Sequence, residues 1–430
     1  MDSAIVLDMN DSMIWMLEQA GAAVSIALMG ICVVRLLMRF GHVLGGRESA
    51  DGLGAEPRYA PAAHLLAAAG IAVASRMLLY LLAYAMYRLL GVGGDGFFAS
   101  LEPLWTRWDV RHYTGIAEDW YTDTGDERLR LVFFPLYPLL MRLLAPLAGG
   151  SFAAGTVISL VCAGAAAALV YDLAYMHFGG ECAWLSAAYF LLSPLSVFLG
   201  CVYTESLFIC LTLCAVCLHR RGHPYAAAVC GALSAFTRMP GVIISGIMII
   251  DLFARIPQKR LSRKAVLACA AQVLIVFSGL FAYWAVNWAA TGDPMTYLIY
   301  QSENWYQEAG SFWGSTANTV HYFLTTAGEG DWLWTWGFQL LCMGVIYALL
   351  AFRQKTLPFD LAAYSFVYVA VVLSPTWLLS GARYLYALCT FPLLLSCLPL
   401  GRKGHGALLG VHAALLALWV FGYTIAVQVL

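Results

Sequence analysis

Apolar stretches long enough to cross a lipid bilayer recur along the whole length of this chain. A spanning helix needs about 20 apolar residues to cross about 30 Å of hydrocarbon. Candidate spans fall near residues 19–39, 62–90, 152–176, 183–200, 204–219, 224–238, 241–255, 265–288, 333–352, 358–377, 384–400 and 406–428. Because the fifth and sixth candidates are short, eleven to thirteen spans are compatible with the sequence. The pattern predicts an all-α polytopic membrane protein.

The amino-acid composition supports a membrane protein and excludes a water-soluble fold. Hydrophobic residues make up 61% of the chain and charged residues 11%, whereas soluble globular proteins average roughly 45–50% and about 25%. Lys and Arg number 24 against 25 Asp and Glu, for a formal net charge of −1. Without a basic excess the chain lacks the electrostatic signature of nucleic-acid binding, so we expect no nucleic-acid partner.

The cysteines and histidines give no sign of a cofactor. The twelve cysteines nearly all lie within apolar runs, which argues against a disulfide framework. Cys214 and Cys217 form a CxxC pair, but it lies inside an apolar helix without a nearby histidine or carboxylate. The polar segments contain no close His/Asp pair in a metal-binding motif. We therefore expect small-residue packing at the CxxC pair and no metal or other cofactor.

The distribution of Lys and Arg predicts the orientation of the chain, because cytoplasmic loops are enriched in these residues. The N-terminus is acidic rather than basic, with Asp2, Asp8, Asp11 and Glu18, so we expect it outside and not as a cleavable signal. Counting spans from there places every short basic connection in the cytoplasm. These connections contain Arg35, Arg39, Arg47 and Arg58; Arg220 and Arg221; Arg255, Lys259, Arg260, Arg263 and Lys264; Arg353 and Lys355; Arg402 and Lys403.

Two predicted outer segments, residues 91–150 and 289–332, are too long and too polar to be simple turns. Long loops of this kind usually serve a function. The first has polar and aromatic residues at helical spacing, which predicts helices lying along the membrane surface; they are Trp105, Asp109, His112, Ile116 and Trp120. The second has no Lys or Arg and five acidic residues, Asp293, Glu303, Glu308, Glu329 and Asp331.

The densest polar cluster in the chain spans Arg107 to Tyr113 in the first outer segment. Asp109, beside His112 and two arginines, has the surroundings of a general base with cationic partners for an anionic substrate. Trp108 and Tyr113 equally suit an interfacial ion-pair network anchored in lipid headgroups. The residues alone leave both interpretations open.

Further ionisable residues lie at predicted outer ends of spans. Charge at membrane depth is costly and is a functional hypothesis by default, which singles out Glu205, Arg238 and Arg383. Arg76, inside the second span, is better interpreted as structural, bonded to neighbouring carbonyls or a carboxylate. Gly292-Asp293-Pro294 is first of all a turn, in which Asp293 holds the backbone ahead of proline.

The order of motifs along the chain resembles one known family. The motifs are Trp108-Asp109-x-x-His112-Tyr113, Phe133-Phe134-Pro135-Leu136-Tyr137-Pro138, Tyr203-Thr204-Glu205-Ser206-Leu207-Phe208, Arg238 before Gly241, Gly292-Asp293-Pro294 with Gln301 and Trp305, and Arg383-Tyr384 with Phe391-Pro392. This arrangement resembles a prokaryotic branch of the PIG-V, or GPI mannosyltransferase II, family. The resemblance runs from about residue 76 to about residue 392, and the N-terminal span at 19–39 has no counterpart in it.

The resemblance implies a GT-C-like bundle of about 11–13 transmembrane helices. A protein of this kind takes mannose from a polyprenyl (dolichol-type) phosphate-mannose on the outer or lumenal face of a membrane. It keeps an essential acidic residue in its first large outer loop, and the matching position here is Asp109. The implied partners are this lipid-linked donor, the surrounding membrane lipids and a glycolipid, glycan or protein acceptor. The membrane would be a bacterial plasma membrane, or the endoplasmic reticulum in a eukaryote.

A reaction of this class can be run with one carboxylate and a few cations. We expect Asp109 to accept the proton of the attacking hydroxyl, with inversion at the anomeric carbon. Arg238 and Arg383, with His112 as a weaker candidate, would hold the donor phosphate. Glu205 and Asp293 would orient the acceptor or fix an arginine. Trp108 and Tyr113 complete the predicted substrate-binding set.

Two other classes of protein are compatible with many spans and buried charge. A transporter or lipid flippase would carry its charges near the bilayer midplane on broken helices, whereas here they cluster at outer helix ends. A structural membrane scaffold would leave the polar cluster around Asp109 without a role.

Overall fold

The chain is almost entirely helical in the computed structural model, which describes residues 11–52, 58–91, 96–328 and 332–426. Asp2, Asp8, Glu329 and Asp331 lie outside these ranges. Within them no β-strand is present, and the α-helices are α1 (Asp11–Leu44), α2 (Ala62–Leu89), α3 (Phe97–Trp105), α4 (Val110–Asp119), α5 (Leu136–Ala148), α6 (Ser151–Phe178), α7 (Gly180–Leu192), α8 (Glu205–Arg220), α9 (Pro224–Thr237), α10 (Ile244–Ala254), α11 (Arg263–Thr291), α12 (Thr296–Trp305), α13 (Phe312–Thr325), α14 (Phe338–Arg353), α15 (Phe359–Val372), α16 (Gly381–Tyr386), α17 (Phe391–Ser396) and α18 (Arg402–Thr424).

Six helices among the described residues are long and apolar enough to cross a membrane unaided. They are α1, α2, α6, α11, α18 and the helical stretch 333–356 that contains α14. A seventh candidate is the bent pair 126–148, whose two parts meet at 112°. Six or more candidate spans agree with an all-α polytopic membrane protein, and the count of eleven to thirteen spans stays a prediction. The other predicted spans are helical but short: α8, with 16 residues, reaches only about 24 Å.

Proline residues explain why several predicted spans are broken. The span predicted at 183–200 ends as an α-helix at Leu192, and a 3-10 turn from Pro194 to Leu199 follows, because proline lacks the N–H that would continue the helix. The freed carbonyls need another donor in a membrane. Arg76 supplies it, donating from Nη2 to the Leu191 carbonyl at 2.9 Å and from Nη1 to that of Ser196. The structural interpretation of Arg76 is confirmed.

An irregular segment interrupts the chain between α15 and α16. The span predicted at 358–377 stops at Val372, ahead of Pro375, and the span predicted at 384–400 is divided between α16 and α17. Gln339 of α14 fixes the irregular segment. Its Nε2 donates to the Leu378 carbonyl at 2.7 Å, and its Oε1 accepts from the Gly381 N–H at 2.7 Å. This anchor sets the direction in which α16 begins.

Helix α8 connects two chemically different ends of the bundle. It begins at Glu205 and ends at Arg220, an arrangement that complements the helix dipole. The Arg220 guanidinium is buried in a bidentate ion pair with Asp360, at 2.5 and 2.7 Å. Glu205 lies about 24 Å away at the opposite end of the helix. The basic connection at 220–221 and the acidic start of α8 are therefore on opposite sides of the bundle.

The outer surface of the bundle is apolar. Large aliphatic side chains on α1, α2 and α11 project outwards with most of their surface exposed, among them Leu37, Leu66, Leu78 and Leu274. Apolar patches of this extent are rare on soluble monomers and are expected where helices face lipid. Together with the long apolar helices, they identify a multi-pass membrane protein. The GT-C-like arrangement and the surface orientation of α3, α4 and α5 stay predictions.

Candidate active site

A cavity of about 260 Å³ lies at the N-terminal end of α8. Four of the ionisable residues singled out in the sequence line it: Asp109, Glu205, Arg238 and Arg383. They come from chain segments up to 274 positions apart. The remaining lining is largely aromatic and apolar, with a few amide and hydroxyl groups. The fold thus collects the charged residues of the predicted site in one hollow.

Asp109 reaches this cavity from a strained corner of the chain. Trp108, immediately before it, has a φ of 45°, a left-handed conformation that non-glycine residues rarely adopt outside functional or tightly packed positions. Asp109 then stands at the N-cap of α4, but its carboxylate makes no capping hydrogen bond. The side chain is 23% exposed. Its carboxylate is therefore accessible from the cavity instead of being used by the helix.

The two acids and two arginines form one continuous network. Arg383 Nη2 donates to Asp109 Oδ2 at 3.0 Å, and Arg383 Nε lies 3.4 Å from Glu205 Oε1. Arg238 Nη1 donates to the same Glu205 oxygen at 2.7 Å. The Glu205 side chain is 1% exposed, in contrast to that of Asp109. Two positive and two negative groups balance, which lowers the cost of burying them.

Aromatic rings hold the two guanidinium groups in place. The guanidinium carbon of Arg238 lies 4.7 Å from the ring centre of Tyr384, and that of Arg383 lies 4.8 Å from the ring centre of Tyr203. Planar guanidinium groups stack well on such rings. Arg383 Nη1 and Glu205 Oε2 are buried without a hydrogen-bond partner in the described residues. An unused buried donor is a position where a ligand oxygen would be stabilised.

Tyr113 and His112 lie next to the network in different roles. Tyr113 lines the cavity, and burial, helped by the nearby Asp109 and Glu205, raises the pKa of its hydroxyl. His112 is stacked on Phe133, with ring centres 4.7 Å apart. Burial lowers the pKa of His112, and the Arg130 charge acts in the same direction against Asp109. A neutral His112 near pH 7 is a poor substitute for an arginine as a phosphate-binding cation.

Three predicted substrate-binding residues do not line the cavity: His112, Trp108 and Asp293. The Trp108 ring packs edge-on against Tyr423, with ring centres 5.1 Å apart. Asp293 is exposed on the surface, and its Oδ1 accepts a hydrogen bond from the Met295 N–H at 2.8 Å. The turn interpretation of Gly292-Asp293-Pro294 is confirmed. Asp293 is used by the backbone of that turn and is separate from the network of the other acids.

Sequence reasoning missed part of the aromatic lining. Trp377 and Tyr384 border the cavity, as do Gln301 and Trp305 from the motif after the Asp293 turn. Tyr384 adjoins Arg383 in the sequence and could have been included on that ground. Trp377 gave no signal, because it stands at the end of an apolar stretch that the sequence alone presents as a span. Pro375 just before it was the available hint that the helix ends early.

Among the described residues, no group of three or more His, Cys, Asp or Glu side chains is close enough together to hold a metal ion. The CxxC pair lies within α8, where Cys217 is buried and Cys214 is partly buried, both as free thiols. The polar groups that line the cavity are carboxylates, guanidinium groups, amides and hydroxyls.

Comparison with known proteins links this geometry to a family. The family described as Mannosyltransferase (PIG-V) matches residues 99–289, which contain Asp109, Glu205 and Arg238. A "GPI alpha-1,6-mannosyltransferase 2" from Rattus norvegicus is 28% identical over 246 residues, covering 50% of this chain and 49% of the relative. Proteins of the same name from Cricetulus griseus and Mus musculus are 30% and 31% identical over 155 and 156 residues, each covering 34% of this chain and 31% of the relative.

The matched portion of each relative is limited. The chain spans about half or less of the length of the curated relatives it matches. No solved structure matches the chain. The family match begins just before the strained corner at Trp108 and ends within α11. These matches agree with the resemblance indicated by the sequence motifs: over residues 99–289 the chain is similar to the PIG-V mannosyltransferase family.

Proposed function

We propose that this protein is a membrane mannosyltransferase that moves mannose from polyprenyl-phosphate-mannose to an acceptor hydroxyl, with inversion at the anomeric carbon. The observation that carries the proposal is the convergence of Asp109, Glu205, Arg238 and Arg383 in one cavity. The family match supports the sugar and the reaction class. The acceptor is a glycolipid, a glycan or a protein.

Asp109 is the general base in this proposal. Of the two carboxylates in the network, it is the one accessible from the cavity, at 23% exposure against 1% for Glu205. Its Oδ atoms accept the proton of the acceptor hydroxyl as that oxygen bonds to the anomeric carbon. At the same time the bond from the anomeric carbon to the phosphate oxygen breaks. Glu205, fixed between two arginines, serves as a positioning residue.

The arginines receive the leaving group. The electron pair of the broken bond goes to the polyprenyl phosphate, which is a stable anion and needs no general acid. Arg383 Nη1 is buried and has no partner among the described residues, so it is available to a phosphate oxygen. Arg238 binds the same Glu205 oxygen that Arg383 contacts, and it supplies a second positive charge. Charge-assisted hydrogen bonds of this kind are stronger than neutral ones.

We infer that the cavity opens on the extracytoplasmic or lumenal side. The support is the position of Glu205 and Arg220 at opposite ends of α8. Arg220 and Arg221 belong to the basic connections that the distribution of Lys and Arg assigns to the cytoplasm. The cavity at the other end of the helix then faces the opposite compartment, in a bacterial plasma membrane or the endoplasmic reticulum.

A direct assay tests the proposal. The purified full-length protein in lipid nanodiscs is given polyprenyl-phosphate-mannose labelled in the sugar, together with fractions of envelope glycolipids and glycoproteins as acceptors. We expect labelled mannose to move to an acceptor with release of polyprenyl phosphate. Movement of the intact donor between leaflets of a proteoliposome, without cleavage of the sugar-phosphate bond, would instead identify a flippase.

A further inference from the structure

A second and larger cavity opens beside the proposed active site. Its volume is about 680 Å³, and we call it the outer cavity. Trp377 borders both the outer cavity and the catalytic one. The other aromatic side chains facing the outer cavity are Tyr306, from the end of α12, and Tyr322 of α13. The two cavities therefore adjoin at the Trp377 ring.

The N-terminal helix closes one side of the outer cavity. Glu18 of α1 lines it and pairs with His321 of α13, with Oε1 and Nδ1 2.8 Å apart. The two helices pack closely here, because a side chain added at Gly21 would lie 2.9 Å from Val320 Cγ2. α1 thus presents a polar edge to the cavity. The segment corresponds to the span at 19–39 that has no counterpart in the family pattern.

The wall shared by the two cavities is rigidly built. Thr376 donates from its N–H to the Glu308 carbonyl at 3.1 Å, and Asn318 Nδ2 donates to the Thr376 carbonyl. Trp336 supports the ring of Trp377 edge-on at 6.2 Å. It is stacked on Tyr322 at 4.6 Å. The aromatic surfaces are consequently pre-positioned and lose little freedom when a ligand binds.

The chemistry of the outer cavity fits a carbohydrate better than a phosphate. Aromatic faces cover the apolar C–H side of a sugar ring, and carboxylate, amide and imidazole groups exchange hydrogen bonds with its hydroxyls. No Lys or Arg is among its described lining residues. The Glu18 carboxylate would repel an anion. A volume of about 680 Å³ is ample for two hexose rings, since drug-sized ligands occupy pockets of about 300–1,000 Å³.

We propose that the outer cavity binds the glycan part of the acceptor, over at least two hexose units, and delivers its terminal hydroxyl past Trp377 to Asp109. The proposal rests on the proposed function. All residues that line the outer cavity lie outside the 99–289 family match. Acceptor choice is therefore set by a part of the chain separate from the segment that carries the base.

Binding of free disaccharides to the full-length protein in nanodiscs tests this proposal. The probes are mannobiose, maltose and N,N′-diacetylchitobiose, followed by saturation-transfer NMR, with inorganic phosphate as a competitor. The variants are Tyr306→Ala and His321→Ala, whose side chains are exposed and whose loss leaves the backbone contacts in place. Trp313→Ala is the matched control, since this exposed α13 side chain does not line the outer cavity.

We expect at least one disaccharide to bind and not to be displaced by phosphate. Tyr306→Ala and His321→Ala should each raise the Kd for the disaccharide by about tenfold, because each removes one stacking or hydrogen-bonding side chain. Trp313→Ala should raise it by less than about twofold. Absence of binding by every probe, equal binding in all variants, or displacement by phosphate would overturn the proposal.

A second measurement separates this proposal from the proposed function. Slow release of mannose from polyprenyl-phosphate-mannose to water, without acceptor, reports on the catalytic cavity alone. It should be unchanged in Tyr306→Ala and His321→Ala. Donor cleavage without disaccharide binding would contradict only the outer-cavity proposal. Disaccharide binding by a protein that never cleaves the donor would contradict only the proposed mannosyltransferase function.

Discussion

Two carboxylates of the same network differ because of their surroundings. Asp109 stands at a helix N-terminus and is partly exposed, whereas Glu205 is almost completely buried between Arg238 and Arg383. Exposure and pairing therefore separate the proposed base from the proposed positioning residue. The sequence could single out both acids, because a charge in an apolar setting is conspicuous. It could not rank them, because burial depends on how separate helices come together.

Replacement of Glu205 by Gln should slow the reaction without weakening donor binding. The change leaves the positive charges of Arg238 and Arg383 unbalanced, which favours the phosphate but loosens the geometry. We expect kcat to fall by about tenfold or more and the donor KM not to rise. Steady-state kinetics with varied donor concentration measures both. Glu205→Asp, which keeps the charge, is the control, and a rise in KM as large as that for Arg383→Ala would refute the positioning role.

Replacement of Arg383 by Ala should mainly weaken donor use. Loss of one or two charge-assisted hydrogen bonds, at about 1.5–3 kcal/mol each, corresponds to a rise in donor KM of about tenfold to a hundredfold or more. Thermal unfolding in detergent should show a folded protein. Arg383→Lys retains the charge, and its donor KM should lie between those of the unchanged protein and Arg383→Ala. A protein that fails to fold in both variants would reduce Arg383 to a structural ion pair.

Three predicted site residues lie outside the cavity lining for reasons of local geometry. Trp108, His112 and Asp293 occur in the right motifs, but the direction of a side chain depends on local backbone geometry. A left-handed φ turns the chain at Trp108, and an Asx turn occupies the Asp293 carboxylate. The turn at Asp293 was predicted from Gly292-Asp293-Pro294, whereas the left-handed φ at Trp108 is not visible in residue type and spacing alone.

At the scale of helices, apolar stretches in the sequence located two of the elements closely. The predicted span at 152–176 corresponds to α6, Ser151–Phe178, and that at 204–219 to α8, Glu205–Arg220. Hydropathy could not show where a helix is interrupted, because the interruptions at Pro194 and Pro375 lie within apolar sequence. These interruptions have a function in the fold. One receives Arg76, and the other places Trp377 in the wall of the candidate active site.

The role of Arg76 gives a prediction at this scale. Arg76→Met keeps the volume but removes the guanidinium donor from the carbonyls of Leu191 and Ser196. The Leu191 carbonyl keeps its bond from Ser196 Oγ, so we expect a cost of about 1–3 kcal/mol, that of one unsatisfied buried group. We expect a clearly lower thermal unfolding temperature in detergent. Arg402→Met, which removes a 94% exposed arginine side chain, is the control and should change little. Equal stability of the two variants would contradict the account of Arg76.

At the scale of the whole molecule, the charge pattern and the fold both distinguish two ends of the bundle. One end carries the basic connection at 220–221, and the other holds the cavity at the start of α8. A short epitope tag inserted at Gly222, in the basic turn between α8 and α9, should be inaccessible to antibody in intact cells. A tag inserted at Asp293, in the exposed turn after α11, should be accessible, because exposed turns tolerate insertion. Permeabilised cells provide the control for expression. The reverse pattern of accessibility would place the catalytic cavity in the cytoplasm.

The architecture also assigns different tasks to different parts of the chain. The family match covers the proposed base Asp109, the buried Glu205 and Arg238. Arg383, Trp377 and the outer cavity come from the C-terminal half, and α1 adds Glu18. The sequence could not connect these segments, because the contacts that join them depend on helix packing between residues hundreds of positions apart.

The single-turnover rate of mannose transfer in Asp109→Asn, compared with the unchanged protein, tests the central claim most directly. Asn has nearly the shape of Asp but cannot accept the proton, so we expect a rate loss of about 10²–10⁴-fold with a similar donor Kd and a similar unfolding temperature. A variant that transfers mannose within a few-fold of the normal rate would contradict the assignment of Asp109 as the base.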